Sequence, residues 1–241
     1  MKNPLELLRG NPADQPGKEQ SGTGAPVSTA KPPRTAGETL PAPSAEEIAS
    51  WFNDKDFTTD WVSRKIPSWL ATIGALRQQD REIRILEVGS YEGHSVVTFL
   101  ELFPRSHVTA IDLFPIEKVE ERFDHNISGY GDRCHKIKGQ ALSILSAFGR
   151  EQQRFDVIYL DAGKRRSDTL AQSILAWPLL PEGGYMIWDD LRWRPDNAPE
   201  NRPADGINLF AKNFRDCMVE LHRGSQLIVQ KTGEWPSGDE G

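Results

Sequence analysis

From Glu82 onward, short apolar runs alternate with amphipathic ones, and this alternation leaves the chain few architectures to choose from. The strand-type runs cover residues 83–88, 107–111, 135–137, 156–160 and 184–188. Helical runs lie between them, at about residues 93–102, 116–127, 141–148 and 166–177. Each helix must carry the chain back so that the next strand starts at the same end. The pattern therefore gives a parallel sheet with helices on both faces. One more helix, about residues 206–214, precedes two closing runs at 218–222 and 226–231. Arg223-Gly224-Ser225 between them reads as a hairpin turn, which makes the last strands locally antiparallel.

What precedes Glu82 is of two kinds. Residues from about 10 to 43 are rich in Pro, Gly, Ser, Thr, Ala and Lys and hold almost no large apolar side chain. They cannot bury enough surface to offset the entropy of ordering them. The sequence thus divides into a disordered tail over 1–43, a helical cap over 44–80, the alternating unit over 81–232 and a flexible end over 233–241. A hydrophobic content of 37% across 241 residues agrees with a tail outside the core. Leu5-Glu6-Leu7-Leu8 is the tail's one apolar handle, and docking to a partner is the alternative to a solvated leader. Ser44 reads as a helix N-cap, with Glu46 and Glu47 in the first turn, leading to Ile48, Trp51 and Phe52. A second helical run, about residues 59–79, carries Trp61, Ile66, Trp69, Leu70, Ile73 and Leu76, and Pro67 kinks or splits it.

A net charge of −6 argues against a non-specific nucleic-acid binder, which needs a basic face. No run approaches the roughly 20 apolar residues of a membrane helix. The opening Met-Lys-Asn-Pro-Leu-Glu-Leu-Leu-Arg is too short in its apolar stretch for a signal peptide. Cys134 and Cys217 match no metal spacing and read as free thiols of a reducing compartment. The expectation is a cytoplasmic protein with no nucleic-acid or membrane partner, and with a homodimer left open.

The chemistry gathers at strand ends. Ile85-Leu-Glu87-Val-Gly89-Ser90-Tyr91-Glu92-Gly93-His94-Ser95 is a strand, a glycine turn and a helix start. Glycines let backbone approach a ligand, and the free N–H groups of a helix start favour an anion. The spacing Gly-x-x-x-Gly is not the dinucleotide Gly-x-Gly-x-x-Gly, which disfavours a nicotinamide dehydrogenase. The next strand ends at Asp112, placed to accept from ribose hydroxyls; a lone acid there is otherwise a turn former. Asp161 follows the fourth strand and Asp189-Asp190 follows the fifth, where open sheets place their ligands. Close carboxylates repel unless a cation sits between them, and such oxygens suit Mg²⁺, Ca²⁺ or Mn²⁺. The alternative has Asp189 capping a loop and Asp190 solvated. Lys164, three residues past Asp161, reads as a general base at such a metal or as an ordinary surface charge.

With these motifs in this order, the chain resembles the class I S-adenosylmethionine (SAM)-dependent methyltransferases over roughly residues 57–231. The resemblance implies an α/β Rossmann-like sheet of seven strands, order 3-2-1-4-5-7-6, with the last strand antiparallel and a helical cap in front. Leu86 to Ser95 is similar to the first motif of the catechol and caffeoyl-CoA type O-methyltransferases. That likeness implies Glu87, Gly89, Ser90, Tyr91, Gly93 and Ser95 around the methionine part of SAM. It implies Asp112 on the ribose, Gln140 and Ala141 beside the adenine, and Asp161 facing both cofactor and acceptor. In those enzymes an Asp after the fourth strand and an Asp-Asn pair after the fifth hold a divalent metal, with a Lys as base. Asp161, Asp189, Asp190 and Lys164 stand at those positions. The pair here is Asp-Asp, and Asp161-Ala-Gly-Lys164 departs from the Asp-Gly-Ser-His of a related bacterial group.

The resulting expectation is O-methylation of a small-molecule or sugar hydroxyl, assisted by a divalent cation such as Mg²⁺. The alternatives are a metal-independent N-methyltransferase and a non-catalytic SAM-binding or assembly protein. The acceptor pocket is expected beneath Trp61, Trp69 and the proline-rich loop over residues 191–203, which holds Trp193 and Arg194.

Overall fold

The computed structural model describes residues 40–234. The Leu5–Leu8 handle, most of the expected tail and the last seven residues lie outside them. The residues just before Ser44 are tied to the cap: Leu40 bonds to Gln78, and the Pro41 carbonyl accepts from Arg77.

Seven strands make one sheet: β1 (Ile83–Val88), β2 (Ser106–Asp112), β3 (Cys134–Lys138), β4 (Val157–Leu160), β5 (Tyr185–Trp188), β6 (Met218–Arg223) and β7 (Leu227–Lys231). Their order is β3-β2-β1-β4-β5-β7-β6. The first five are parallel to one another, and β7 runs antiparallel between β5 and β6. The sequence reading of the sheet is borne out, with each strand within two residues of its expected ends.

The helices are α1 (Ala45–Ser50), α2 (Ile66–Ile73), α3 (His94–Leu102), α4 (Glu117–Ile127), α5 (Ala141–Arg150), α6 (Arg166–Ala176) and α7 (Pro203–Phe214). Strand residues alternate between two cores, which is why the central strands read as continuous apolar runs rather than as half-polar ones. Leu86, Val88, Ile158, Leu160, Met186 and Trp188 face one side, where Phe148, Trp177, Phe210 and Phe214 pack on them. Ile83, Ile85, Val157, Tyr159 and Ile187 face the other, covered by Phe99 and Phe123 and by the cap residues Trp51, Val62, Ile66, Trp69 and Ile73. Tyr159 thus points toward the N-terminal cap.

The cap differs from its expectation in one instructive way. Pro67 does not break a long helix; it sits in the first turn of α2, where a missing N–H costs nothing. A 3-10 turn over Ser63–Lys65 precedes it. Ser44 caps α1, its hydroxyl accepting from Glu47 N at 3.1 Å. Trp69 is fully buried, stacked on Phe99 at 4.5 Å, and its indole N–H donates to Gln226. It is a core residue and not part of the acceptor roof. Cys134 and Cys217 are free thiols. No helix of the described residues is long and apolar enough to cross a membrane.

Candidate active site

The carboxyl ends of β1, β2, β4 and β5 open into a cavity of about 850 Å³. Its walls contain Gly89, Ser90, Tyr91, Ser95, Asp112, Gln140 and Ala141 on one side, and Asp161, Lys164, Asp189 and Asp190 on the other. The residues singled out in the sequence therefore do converge. Gly93 and Glu87 lie just behind this wall, in the turn and the strand that shape it.

The β1 side is left partly unsatisfied. Glu87 is fully buried, and one carboxylate oxygen accepts from the Ser95 hydroxyl at 2.7 Å. Its other oxygen, Oε2, and Ser90 Oγ make no hydrogen bond of good geometry among the described residues, although the Ser90 hydroxyl is near enough to favour the Glu87 carboxylate. Burial pushes the Glu87 carboxyl well above the usual carboxylate range; the Ser95 and Ser90 hydroxyls only partly offset this. Buried polar atoms are nearly always bonded, so two left without a good bond mark a place built for a ligand that donates and accepts there. The ammonium group of a bound amino acid meets that requirement at Glu87.

The glycines serve the chain more than the ligand. Gly89 has φ +93°, and a Cβ there would lie 2.7 Å from the Ala162 nitrogen. Gly93, at φ +83°, would put a Cβ 3.0 Å from the Phe123 ring. Gly89 is therefore required by the passing β4 loop, and Gly93 by α4. Asp112 combines two roles kept apart in the sequence. Its Oδ2 accepts from Ser90 N at 2.9 Å and Tyr91 N at 3.0 Å, and its Oδ1 accepts from Phe114 N at 2.8 Å. It fastens the glycine turn while still lining the cavity. Tyr91, held at φ 47°, leans against the exposed Trp61 with ring centroids 5.4 Å apart.

The β4–β5 side is the opposite case. Asp189 Oδ2 contacts Lys65 Nζ and accepts from the Tyr159 hydroxyl at 2.5 Å, while Oδ1 accepts from Asp190 N at 2.8 Å. Lys164 spans Asp161 Oδ1, at 2.8 Å, and Asp190 Oδ2. Each acid thus already faces an ammonium group or a hydroxyl. Among the described residues, no three Asp, Glu, His or Cys side chains gather in a metal-holding arrangement. Asp161, Asp189 and Asp190, the expected metal ligands, do meet, and lysines face the oxygens that a hard divalent ion would need.

The same contacts bear on Lys164, the expected base. Burial alone would lower the Lys164 ammonium, but the Asp161 and Asp190 charges outweigh it and push its pKa up. A more firmly held proton makes a lysine a poorer general base. Asp161 moves the other way: burial raises it, and Lys164 only partly compensates the repulsion of Asp189 and Asp190, leaving it at about 6. Asp189 is lowered, because Lys65 and its hydrogen bonds prevail over burial.

Lys65 and Tyr159 were not singled out in the sequence. Lys65 follows Arg64 in a polar stretch and looks like a surface charge; only the cap's docking on the sheet turns it inward. The signal for Tyr159 was its place two residues before Asp161, on the opposite face from Leu160. His94 also went unremarked. It stacks on Phe57 at 4.3 Å, and its largely buried ring holds Nδ1 3.9 Å from an Asp60 carboxylate oxygen. Burial lowers its pKa.

With the geometry established, the comparisons add the following. The family described as "Methyltransferase domain" matches residues 86–191. The O-methyltransferase hkm8 of Aspergillus hancockii is 27% identical over 161 residues, covering 64% of this chain and 62% of that protein. The chain thus spans about three fifths of that relative's length. MycE methyltransferase from the mycinamycin biosynthetic pathway, solved with Mg and SAH, superposes with TM-score 0.54 at 18% identity, over 80% of this chain and 54% of that one. The SAH-bound O-methyltransferase from Bacillus cereus gives 0.54 at 19%, covering 77% and 88%. SAH-bound PaMTH1 of Podospora anserina gives 0.55 at 18%, covering 82% and 100%. At these identities the solved structures establish a shared fold.

Proposed function

We propose that this chain, which shares the fold of class I SAM-dependent methyltransferases and matches a methyltransferase domain over residues 86–191, is such an enzyme and methylates a hydroxyl of a small-molecule or sugar acceptor. The observation that carries this reading is the buried Oε2 of Glu87, left without a hydrogen bond just behind the cavity wall formed by Val88, Gly89 and Ser90. An α-ammonium group there would restore the missing donor. Asp112 would meet the ribose hydroxyls, and Gln140 and Ala141 would border the adenine, both along the cavity wall.

SAM supplies an activated methyl: the acceptor oxygen forms the new O–C bond as the C–S bond breaks, and that electron pair stays on the neutral thioether sulfur. The chain's own tasks are alignment and handling of one proton. Asp161 lines the cavity between the two halves of the site, and its Oδ2 has only a 3.3 Å contact from Tyr159. It is the proton acceptor in this proposal, in place of Lys164. Trp61 and Trp193 border the mouth of the cavity and offer flat apolar faces to an acceptor. A divalent cation has no step here, since Lys65 and Lys164 face the acids. The Mg ion belongs to the MycE complex. The name of the curated relative favours oxygen over nitrogen as the acceptor atom.

The test is calorimetric titration of SAM, followed by transfer of labelled methyl to panels of sugars, phenols and amines. Saturable SAM binding with methylation of a hydroxylated acceptor is expected. Absence of SAM binding would overturn the reading, and methylation confined to amines would overturn the choice of oxygen.

A further inference from the structure

The acidic edge is organised around two ammonium groups that arrive from different parts of the chain. Lys65 closes the 3-10 turn before α2, and its side chain is only 8% exposed. A lysine is buried this deeply only where partners replace the water it gives up. Its partners are Asp189 Oδ2 and the Tyr159 hydroxyl, the latter at 3.2 Å. Lys164 rises from the loop after β4 and joins Asp161 to Asp190.

The base of this arrangement is fixed before any ligand arrives. Trp69 Nε1 donates to Gln226 Oε1 at 2.8 Å, and Gln226 Nε2 lies 3.5 Å from the Tyr159 hydroxyl. Tyr159 in turn donates to Asp189 at 2.5 Å. Trp69, Gln226 and Tyr159 are each at most 1% exposed. Lys65 is therefore aimed by packed groups from the cap, β4 and the residue before β7.

Resting on the methyltransferase reading above, we propose that Lys65, assisted by Lys164, is the resident cation of the acceptor site. It stands where a divalent metal would bind Asp161, Asp189 and Asp190, so methyl transfer in this protein needs no metal. A hard divalent ion requires several oxygens at roughly 2.0–2.6 Å. To obtain them here it must displace an ammonium group, or sit beside one of like charge in a poorly hydrated cavity. Lys65 can itself do for the acceptor what a metal would do. An ammonium has three donors. Two of those of Lys65 are directed at Asp189 and Tyr159, and Lys65 lines the cavity, so in this proposal the third meets the acceptor oxygen. A fixed positive charge there steadies the oxygen as its proton passes to Asp161 and its electron pair moves to the methyl carbon.

The test uses Mn²⁺ as probe, followed by electron paramagnetic resonance on the full chain, with SAM binding measured calorimetrically on the same samples. Wild type should bind no Mn²⁺ below the millimolar range. Lys65→Ala with Lys164→Ala, which uncovers the three carboxylates, should bind it at least about tenfold more tightly. Should that double variant fail to fold, Lys65→Gln keeps the side-chain length and removes the charge, and the same direction of change is expected. A tight Mn²⁺ site in wild type that vanishes in Asp189→Asn would overturn the proposal. So would the absence of any gain in folded lysine variants. SAM binding without Mn²⁺ binding keeps both claims, whereas loss of SAM binding in wild type is a failure of the functional reading instead.

Discussion

The two halves of the cavity are built on opposite principles. At β1 and β2, Glu87 and Ser90 each keep a buried polar atom with no hydrogen bond of good geometry. At β4 and β5, every carboxylate faces a cation or a hydroxyl, although the three acids crowd together. Burial disfavours a charge unless something in the protein compensates it. The first half leaves that compensation to a ligand; the second supplies its own. A cofactor that comes and goes suits the first arrangement. A permanent electrostatic frame for an acceptor suits the second.

The contrast can be broken most forcefully at Lys65. Lys65→Ala leaves Asp189 buried and unpaired, and a loss of about 3–5 kcal/mol of folding stability is expected, read from denaturant unfolding. A loss below about 1 kcal/mol would mean that the pair is not the desolvated frame described above. Asp112→Ala comes next, because it removes the acceptor of two turn amides as well as the proposed ribose contact. SAM binding should weaken at least about tenfold, and unchanged affinity would sink the ribose assignment.

Glu87→Gln sharpens the comparison from the other side. Its carboxyl is already penalised by burial, so stability should shift by no more than about 1 kcal/mol while SAM binding weakens. A loss as large as that of Lys65→Ala would erase the distinction between the halves. The smallest effect lies at His94. Burial lowers its pKa below the ordinary 6.5, so the folded state binds fewer protons than the unfolded chain. Stability should therefore decline as pH falls below about 6.5 and be insensitive to this group above it. His94→Phe should flatten that decline in thermal melts; an unchanged slope would assign it to other groups.

Much of this was readable in the sequence because it rests on local pattern. Strand runs, helix starts and the acids at strand ends are set by period and punctuation, and they led to the parallel sheet with its closing hairpin and to Asp112, Asp161 and Asp189; the strand order and the part of Glu87 came from the family resemblance. Lys65 was not readable, since its burial comes from a contact 124 residues away. Neither was the state of Lys164, which depends on Asp190 reaching it from the next strand end. Pro67 carried a local signal, but the reading was incomplete: proline ends a helix or begins one, and α2 begins there. The dual duty of Asp112 was hidden for a similar reason, as the amides it holds belong to the preceding strand's turn.

Calorimetry of SAM into EDTA-treated protein, wild type beside Glu87→Gln, tests the central claim most directly. The account predicts one site per chain, saturable without any added metal and weakened at least about tenfold by the substitution. Binding that requires a divalent cation, or that is indifferent to Glu87, would contradict it.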